Sequence, residues 1–161
     1  MIEVFPNLFL GSDEDFGPAL EWGFSIVSAA KEPHHRDALG YRGNGVKIDK
    51  THPEYYAAQR GGHLILNWVD VDDPQYFRRE ELERAGNFIA RALINDQSVL
   101  VHCNKGQSRS VALVLWWLHK WADSWADETP ESSLASLEAV HNYPAEPKPG
   151  VWGFVKEHWN E

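Results

Sequence analysis

The chain contains one cysteine, and the residues after it form a contiguous chemical unit: His102-Cys103-Asn104-Lys105-Gly106-Gln107-Ser108-Arg109-Ser110. A cysteine thiolate is a strong nucleophile. Arg109, at this spacing, presents a planar fork of donors suited to two oxygens of one phosphoryl group. Gly106 permits a turn tight enough for backbone N–H groups to converge on an anion. Ser110 can donate its hydroxyl to the Cys103 sulfur, and His102 can fix the loop from behind. A lone cysteine is most often an inert core thiol. Five fixed residues at these offsets arise by chance with odds on the order of 10⁻⁵ in a chain of this size, which argues for a nucleophile in an anion cradle.

Such a cradle needs a strand to deliver the cysteine and a helix to point at the phosphate. Ser98-Val99-Leu100-Val101-His102 is the strongest strand signal in the chain, and its apolar run fits the centre of a parallel sheet. From Arg109 to Trp121, the residues Val111, Val114, Leu115, Leu118 and Trp121 form the inner stripe of a helix. A loop entering a helix N-terminus directs unpaired N–H groups and the positive end of the helix dipole at one point. Together with Arg109, that field should hold Cys103 as a thiolate.

The remaining pattern alternates strand and helix. A hairpin is expected over Ile2–Val4 and Leu8–Leu10, a weak helix over Asp13–Trp22, and a buried strand over Phe24–Ala29. Leu64-Ile65-Leu66 forms another strand, followed by the acidic bend Asp70-Val71-Asp72-Asp73-Pro74 and an amphipathic helix over Arg78–Ile94. Thr129-Pro130 caps a helix running to His141, and a Pro-rich bend leads to a last short helix over Val151–Trp159. Lys31 to Gly62 is polar and glycine-rich, and reads as a long functional loop. The expected fold is α/β: three layers, α/β/α, around a central mostly parallel sheet.

With 161 residues, 43% of them hydrophobic, the chain fits a single domain over residues 1–161 and excludes disorder. A formal net charge of −9 speaks against a nucleic-acid partner. No apolar stretch reaches the roughly 18 residues that span a bilayer, so no membrane association is expected. One cysteine allows neither an internal disulfide nor a zinc–thiolate cluster, which fits a cytoplasmic protein, and a monomer is expected.

The loop resembles the H-C-x5-R-S signature of cysteine-dependent phosphatases, and its G-x-S-R-S ending resembles the dual-specificity branch. Val4-Phe5-Pro6-Asn7-Leu8-Phe9-Leu10-Gly11 looks like that branch's opening strand, turn and glycine, and Phe24-Ser25-Ile26-Val27-Ser28 like its next strand. Gly150 with Phe154 loosely resembles the start of its closing helix. The resemblance implies a protein tyrosine phosphatase-like fold and hydrolysis through a phosphocysteine intermediate. Cys103 is then the nucleophile, Arg109 the phosphate clamp, and Ser110 the aid to thiolate departure. His102, Asn104, Lys105, Gly106, Gln107 and Ser108 become the substrate-binding residues. An aspartate protonates the leaving oxygen. In the family that acid lies roughly thirty residues before the cysteine, after a strand and before a helix. Asp72 fits the offset best and keeps an ungapped distance to Phe88, which resembles a phenylalanine of the family's next helix. Asp70 and Asp73 remain alternatives.

The substrate expected is a phosphorylated protein or another phosphomonoester. An RNA 5′-triphosphate, nucleotide or phosphoinositide is an alternative substrate for the same chemistry, and an inactive phosphate-binding module is the non-enzymatic alternative. Trp116-Trp117-Leu118-His119 replaces the alanine-tyrosine-leucine-methionine segment frequent in kinase-directed members, and the Lys31–Gly62 insertion is long. The insertion points to a divergent, bacterial- or viral-like member, and both departures speak against a MAP-kinase substrate. His34, His35, His52 and His63 lack helical i, i+4 spacing and a cysteine partner, so they read as exposed loop histidines. His34, His35 and Arg36 can alternatively approach the pocket mouth. No metal and no cofactor is expected. The tryptophans Trp116, Trp117, Trp121 and Trp125 read as core packing.

Overall fold

The apolar run that ends in His102 becomes the middle of a six-stranded sheet. In the computed structural model, which describes residues 1–43 and 45–161, the strands are β1 (Ile2–Phe5), β2 (Leu8–Gly11), β3 (Ser25–Ser28), β4 (Ala57–Arg60), β5 (His63–Leu66) and β6 (Val99–His102). Their order is β1-β2-β6-β3-β5-β4. The four inner strands run parallel, and β1 and β4 close the two edges in antiparallel fashion. Buried on both faces, β6 is apolar at every position before His102.

Helix α1 (Asp13–Glu21) covers one face, where Ala19, Ile26 and Leu100 pack with Phe9, Phe16 and Phe24 around them. Ser12 caps it, and the Asp15 carboxylate accepts from the Ser12 N–H in return, which offsets the Pro18 inside the helix. On the other face lie α3 (Arg79–Ile94), α4 (Arg109–Trp121), α5 (Pro130–His141) and α6 (Pro149–Glu157), around the larger core. The outward residues of the strands divide accordingly: Val27, Val99 and Val101 face the larger core, and Ile26 and Leu100 face α1. The three-layer α/β/α expectation with a mostly parallel sheet is met. The tryptophans pack as expected only in part: Trp121, expected on the inner stripe, is 40% exposed, and Trp125 is half-buried. Trp116 and Trp117 are buried, and the Trp117 indole N–H donates to the Gly86 carbonyl at 3.1 Å.

The long connection departs from the expected loop. Lys31–His35 forms a helical turn kinked at Glu32, followed by α2 (Arg36–Leu39). Its far end supplies β4, which pairs with β5 from Ala57↔Leu66 to Arg60↔His63. Ala-Ala-Gln-Arg carries no β-branched or aromatic residue, so pairing with β5 rather than local propensity makes it a strand. Among the described residues no helix is long and apolar enough to cross a membrane.

Candidate active site

Cys103 follows the last residue of β6, and Arg109 and Ser110 open α4, so strand and helix fix the ends of a six-residue turn. Cys103 is 2% exposed. Its Sγ lies 3.1 Å from the Ser110 hydroxyl oxygen, the contact expected of a group that stabilises a leaving thiolate. Gly106 takes a left-handed φ of 73°. A Cβ there would lie 2.6 Å from the Gly11 carbonyl oxygen, so only glycine fits between this loop and β2.

The loop is tied down through its carbonyls and side chains. The Asp13 N–H donates to the Asn104 carbonyl at 3.2 Å, and the Glu146 N–H to the Gln107 carbonyl at 2.7 Å. Tyr143 donates its hydroxyl to the Gly106 carbonyl at 2.6 Å. The Lys148 N–H donates to the Ser108 hydroxyl at 2.9 Å. None of these ties uses a loop N–H, which leaves those groups for an anion in front of Cys103.

Arg109 is held from two sides. Its Nη1 donates to the Trp68 carbonyl at 2.8 Å and its Nη2 to the Asn104 side-chain oxygen at 2.6 Å. Asn104 is itself braced, donating to the Asp13 carboxylate at 2.9 Å and to the Glu32 carbonyl at 2.6 Å. The Arg109 Nε has no hydrogen-bond partner among the described residues and lies 3.9 Å from an Asp70 carboxylate oxygen. A buried guanidinium that lines a cavity and keeps one N–H unpartnered is suited to an oxyanion.

The cavity has a volume of about 430 Å³ and is lined by the loop residues Cys103, Asn104, Lys105, Gln107, Ser108 and Arg109. Opposite them stand Asp70, Glu146, Pro147, Lys148 and Pro149. Three expectations change here. Asp70, not Asp72, reaches the cavity; Asp72 is exposed and takes no part in its lining. The reason is the shape of the acidic bend. A Cβ at Gly150 would sit 2.1 Å from the Val71 carbonyl oxygen, so the bend lies directly on the start of α6. The Lys148 ammonium holds it from the side, 3.1 Å from the Asp70 carbonyl oxygen and 3.4 Å from the Asp70 carboxylate. Asp73 instead accepts from the Gln75 N–H at 2.9 Å and caps the turn Pro74–Tyr76. Second, His102 and Gly106 do not line the cavity: His102 is fully buried behind the loop, and Gly106 turns its carbonyl to Tyr143.

Third, the histidines of the long connection are not exposed loop residues, apart from His52. His35 is buried, with ring nitrogens 2.6 Å from the Tyr41 hydroxyl and 2.7 Å from the Glu54 carbonyl. His34 lies 2.8 Å from the Asp13 carboxylate and His63 lies 2.7 Å from the Ser28 hydroxyl, both behind the catalytic loop. Neither they nor Arg36, which pairs with Glu32 at 2.5 Å, reach the cavity. Burial, with His34 and His102 alongside, pushes the His63 imidazole down to about 4. Burial alone would raise the Asp13 carboxyl. Its contacts with His102, Asn104 and His34 outweigh that and hold it far below the usual carboxylate range.

Sequence reasoning missed Asp13, the Trp68 carbonyl, Tyr143 and Lys148. No local pattern marks them: they meet the loop only after α1 docks on β6 and the Pro-rich bend returns from α5. The one available signal was the bend itself, whose prolines exclude a helix and leave backbone groups free to bond elsewhere.

A buried cysteine beside a serine hydroxyl, a braced arginine and an aspartate at the cavity are the arrangement that the resemblance to cysteine-dependent phosphatases implies. Residues 44–128 match the family model described as dual specificity phosphatase, catalytic domain. The chain is 30% identical over 121 residues to human dual specificity protein phosphatase 12, covering 74% of this chain and 31% of that protein. It therefore spans about a third of the length of that curated relative. The crystal structure of DUSP15 superposes with a TM-score of 0.67 at 21% identity, covering 99% of this chain and 87% of the other. That of PTPMT1 in complex with PI(5)P does so with a TM-score of 0.64 at 17% identity, covering 97% of this chain and 92% of the other. This chain belongs to the dual specificity phosphatase family.

Proposed function

We propose that residues 1–161 form a single catalytic domain that hydrolyses phosphomonoesters, phosphorylated proteins first among them, through a phosphocysteine. The observation that carries this reading is Arg109, buried and braced at Trp68 and Asn104, with an Nε that has no hydrogen-bond partner among the described residues, lining the same cavity as Cys103. The Cys103 thiolate attacks phosphorus, forming the S–P bond as the P–O bond to the leaving group breaks. Asp70 gives its proton to the departing oxygen. Water then attacks the phosphocysteine and yields its proton to Asp70; the S–P bond breaks, inorganic phosphate leaves, and the Ser110 hydroxyl steadies the returning thiolate. Arg109 and the loop N–H groups hold the equatorial oxygens throughout, so their electrostatics favour the transition state.

A second substrate reading rests on Lys105 and Lys148, which line the cavity together with Arg109. Two further cations at the mouth fit a multiply phosphorylated head group, such as a phosphoinositide. The long Lys31–Gly62 connection supports a divergent, bacterial- or viral-like place within the family. The single cysteine supports work as a monomer in a reducing cytoplasm. The test is release of p-nitrophenol from p-nitrophenyl phosphate. Wild-type protein turns over, vanadate inhibits it, and Cys103→Ser removes activity without loss of the folded far-UV spectrum. Hydrolysis that survives Cys103→Ser overturns the reading.

A further inference from the structure

The back of the catalytic loop carries a cluster that phosphate hydrolysis does not use. Asp13 at the start of α1, His34 in the turn Lys31–His35 and His102 at the end of β6 each offer one ligand atom, all within 4.8 Å of one another. The Asp13 Oδ1 atom is 2.8 Å from His34 Nε2 and 3.3 Å from His102 Nδ1. His102 is fully buried, and among the described residues its Nδ1 has no hydrogen-bond partner. The nitrogen faces the carboxylate without the alignment a hydrogen bond needs. A buried polar atom left in that state calls for an occupant.

We propose that Asp13, His34 and His102 bind one divalent transition-metal ion of the zinc class, directly behind the phosphate cradle. Two imidazoles and one carboxylate are the donor set of such ions, whereas magnesium and calcium prefer oxygen alone. Bonds of about 2.0–2.2 Å in a tetrahedron place ligand atoms roughly 3.3 Å apart, close to the spacing around Asp13 Oδ1. The Asp13 side chain is 37% exposed and His34 only 10%, so the site opens at one corner. That corner gives the ion its entry path and a position for water.

The surroundings orient each ligand as metal sites require. His102 Nε2 is 2.6 Å from the Ser28 hydroxyl, which is 2.7 Å from His63 Nε2. When the ion takes the lone pair of His102 Nδ1, Nε2 carries the proton and donates it to Ser28. The Ser28 hydroxyl then donates to His63, so one direction satisfies the whole chain. The second oxygen of Asp13 accepts from the Asn104 amide at 2.9 Å. Because Asn104 also braces Arg109, the ion links β6, α1 and the phosphate clamp into one rigid unit. Sequence spacing hid the set, since its members come from three separate segments.

The test uses chelator-stripped protein titrated with Co²⁺, read by visible absorption, with Zn²⁺ as competitor and metal content measured after dialysis. One ion per chain is expected. His34→Ala and Asp13→Asn should weaken binding at least tenfold, and His34→Gln repeats the test should the alanine variant unfold. Cys103→Ser should bind as wild type does, with no sulfur-to-cobalt charge-transfer band in any variant. Absence of stoichiometric binding by the wild-type chain overturns the proposal. So does binding that vanishes with Cys103→Ser and survives His34→Gln, which would place the ion on the thiolate. Either result leaves the phosphatase reading to its own assay.

Discussion

The two sides of the Cys103–Arg109 loop are built on different principles. The front is assembled from residues adjacent in sequence, six of which line one cavity. The back is assembled from distant segments, Asp13, Ser28, His34, His63 and His102, whose polar atoms point at one another. Openness in front suits an anion that must enter and leave. Closure behind suits a frame that keeps Arg109 and Asn104 from relaxing between turnovers. Preorganised donors need no reorganisation at the moment of reaction, which is the source of their catalytic value.

Shortening the front clamp should separate the two sides most sharply. Arg109→Lys keeps the charge but loses the fork, and with it either the Trp68 or the Asn104 brace or the contact with phosphate. A fall in kcat of about 10²–10³-fold is expected, the scale of one lost oxyanion donor. The melting temperature, read alongside, should move far less than the rate. A rate loss no larger than twofold would show that the loop N–H groups suffice without the fork.

The acid comes next in size. Asp70→Asn should lower kcat on unactivated phosphoesters by about 10²-fold, while Asp72→Asn leaves it within a factor of about two. The two variants carry the same charge change at nearly the same place, so general electrostatics cannot imitate the difference. Equal losses would mean that the bend closes on substrate and exchanges the two carboxylates. The effect of Asp70→Asn should shrink on p-nitrophenyl phosphate, whose leaving group needs little protonation.

What the sequence made legible follows the same division. The cysteine, arginine and serine could be placed because strand, loop and helix run consecutively, so local pattern and final geometry coincide. The inner strands were legible from their apolar runs. Which aspartate reaches the cavity was not, because an offset counts residues and cannot see Gly150 lying against Val71 or Lys148 beside Asp70. The edge strand β4 was hidden because Ala57 and Ala58 have no strand preference of their own. The histidines misled for a related reason: local polarity suggested solvent, while tertiary packing turned His34 and His63 toward Asp13 and Ser28.

The smallest effect concerns the brace on which Arg109 rests. Glu81 is buried, and its carboxylate accepts from the Trp68 indole N–H at 2.8 Å, while the Trp68 carbonyl receives Arg109. Burial pushes the Glu81 carboxyl up to about 8, against smaller lowering effects from Trp68 and Arg78. The folded chain therefore holds this proton more tightly than the unfolded chain, whose carboxyl titrates near 4.5. The stability that goes with the bound proton is complete below pH 4.5 and is lost as pH rises toward about 8. Glu81→Gln keeps an acceptor for Trp68 and has no proton to lose. Its melting temperature should exceed that of wild type by a margin that grows from pH 5 to 8 and then levels, reaching about 2–4 °C for each kcal/mol recovered. A constant margin across that range would mean that Glu81 keeps one protonation state throughout. The same series read by turnover should show little change, because the substituted amide leaves the Trp68 carbonyl, and so Arg109, where it was.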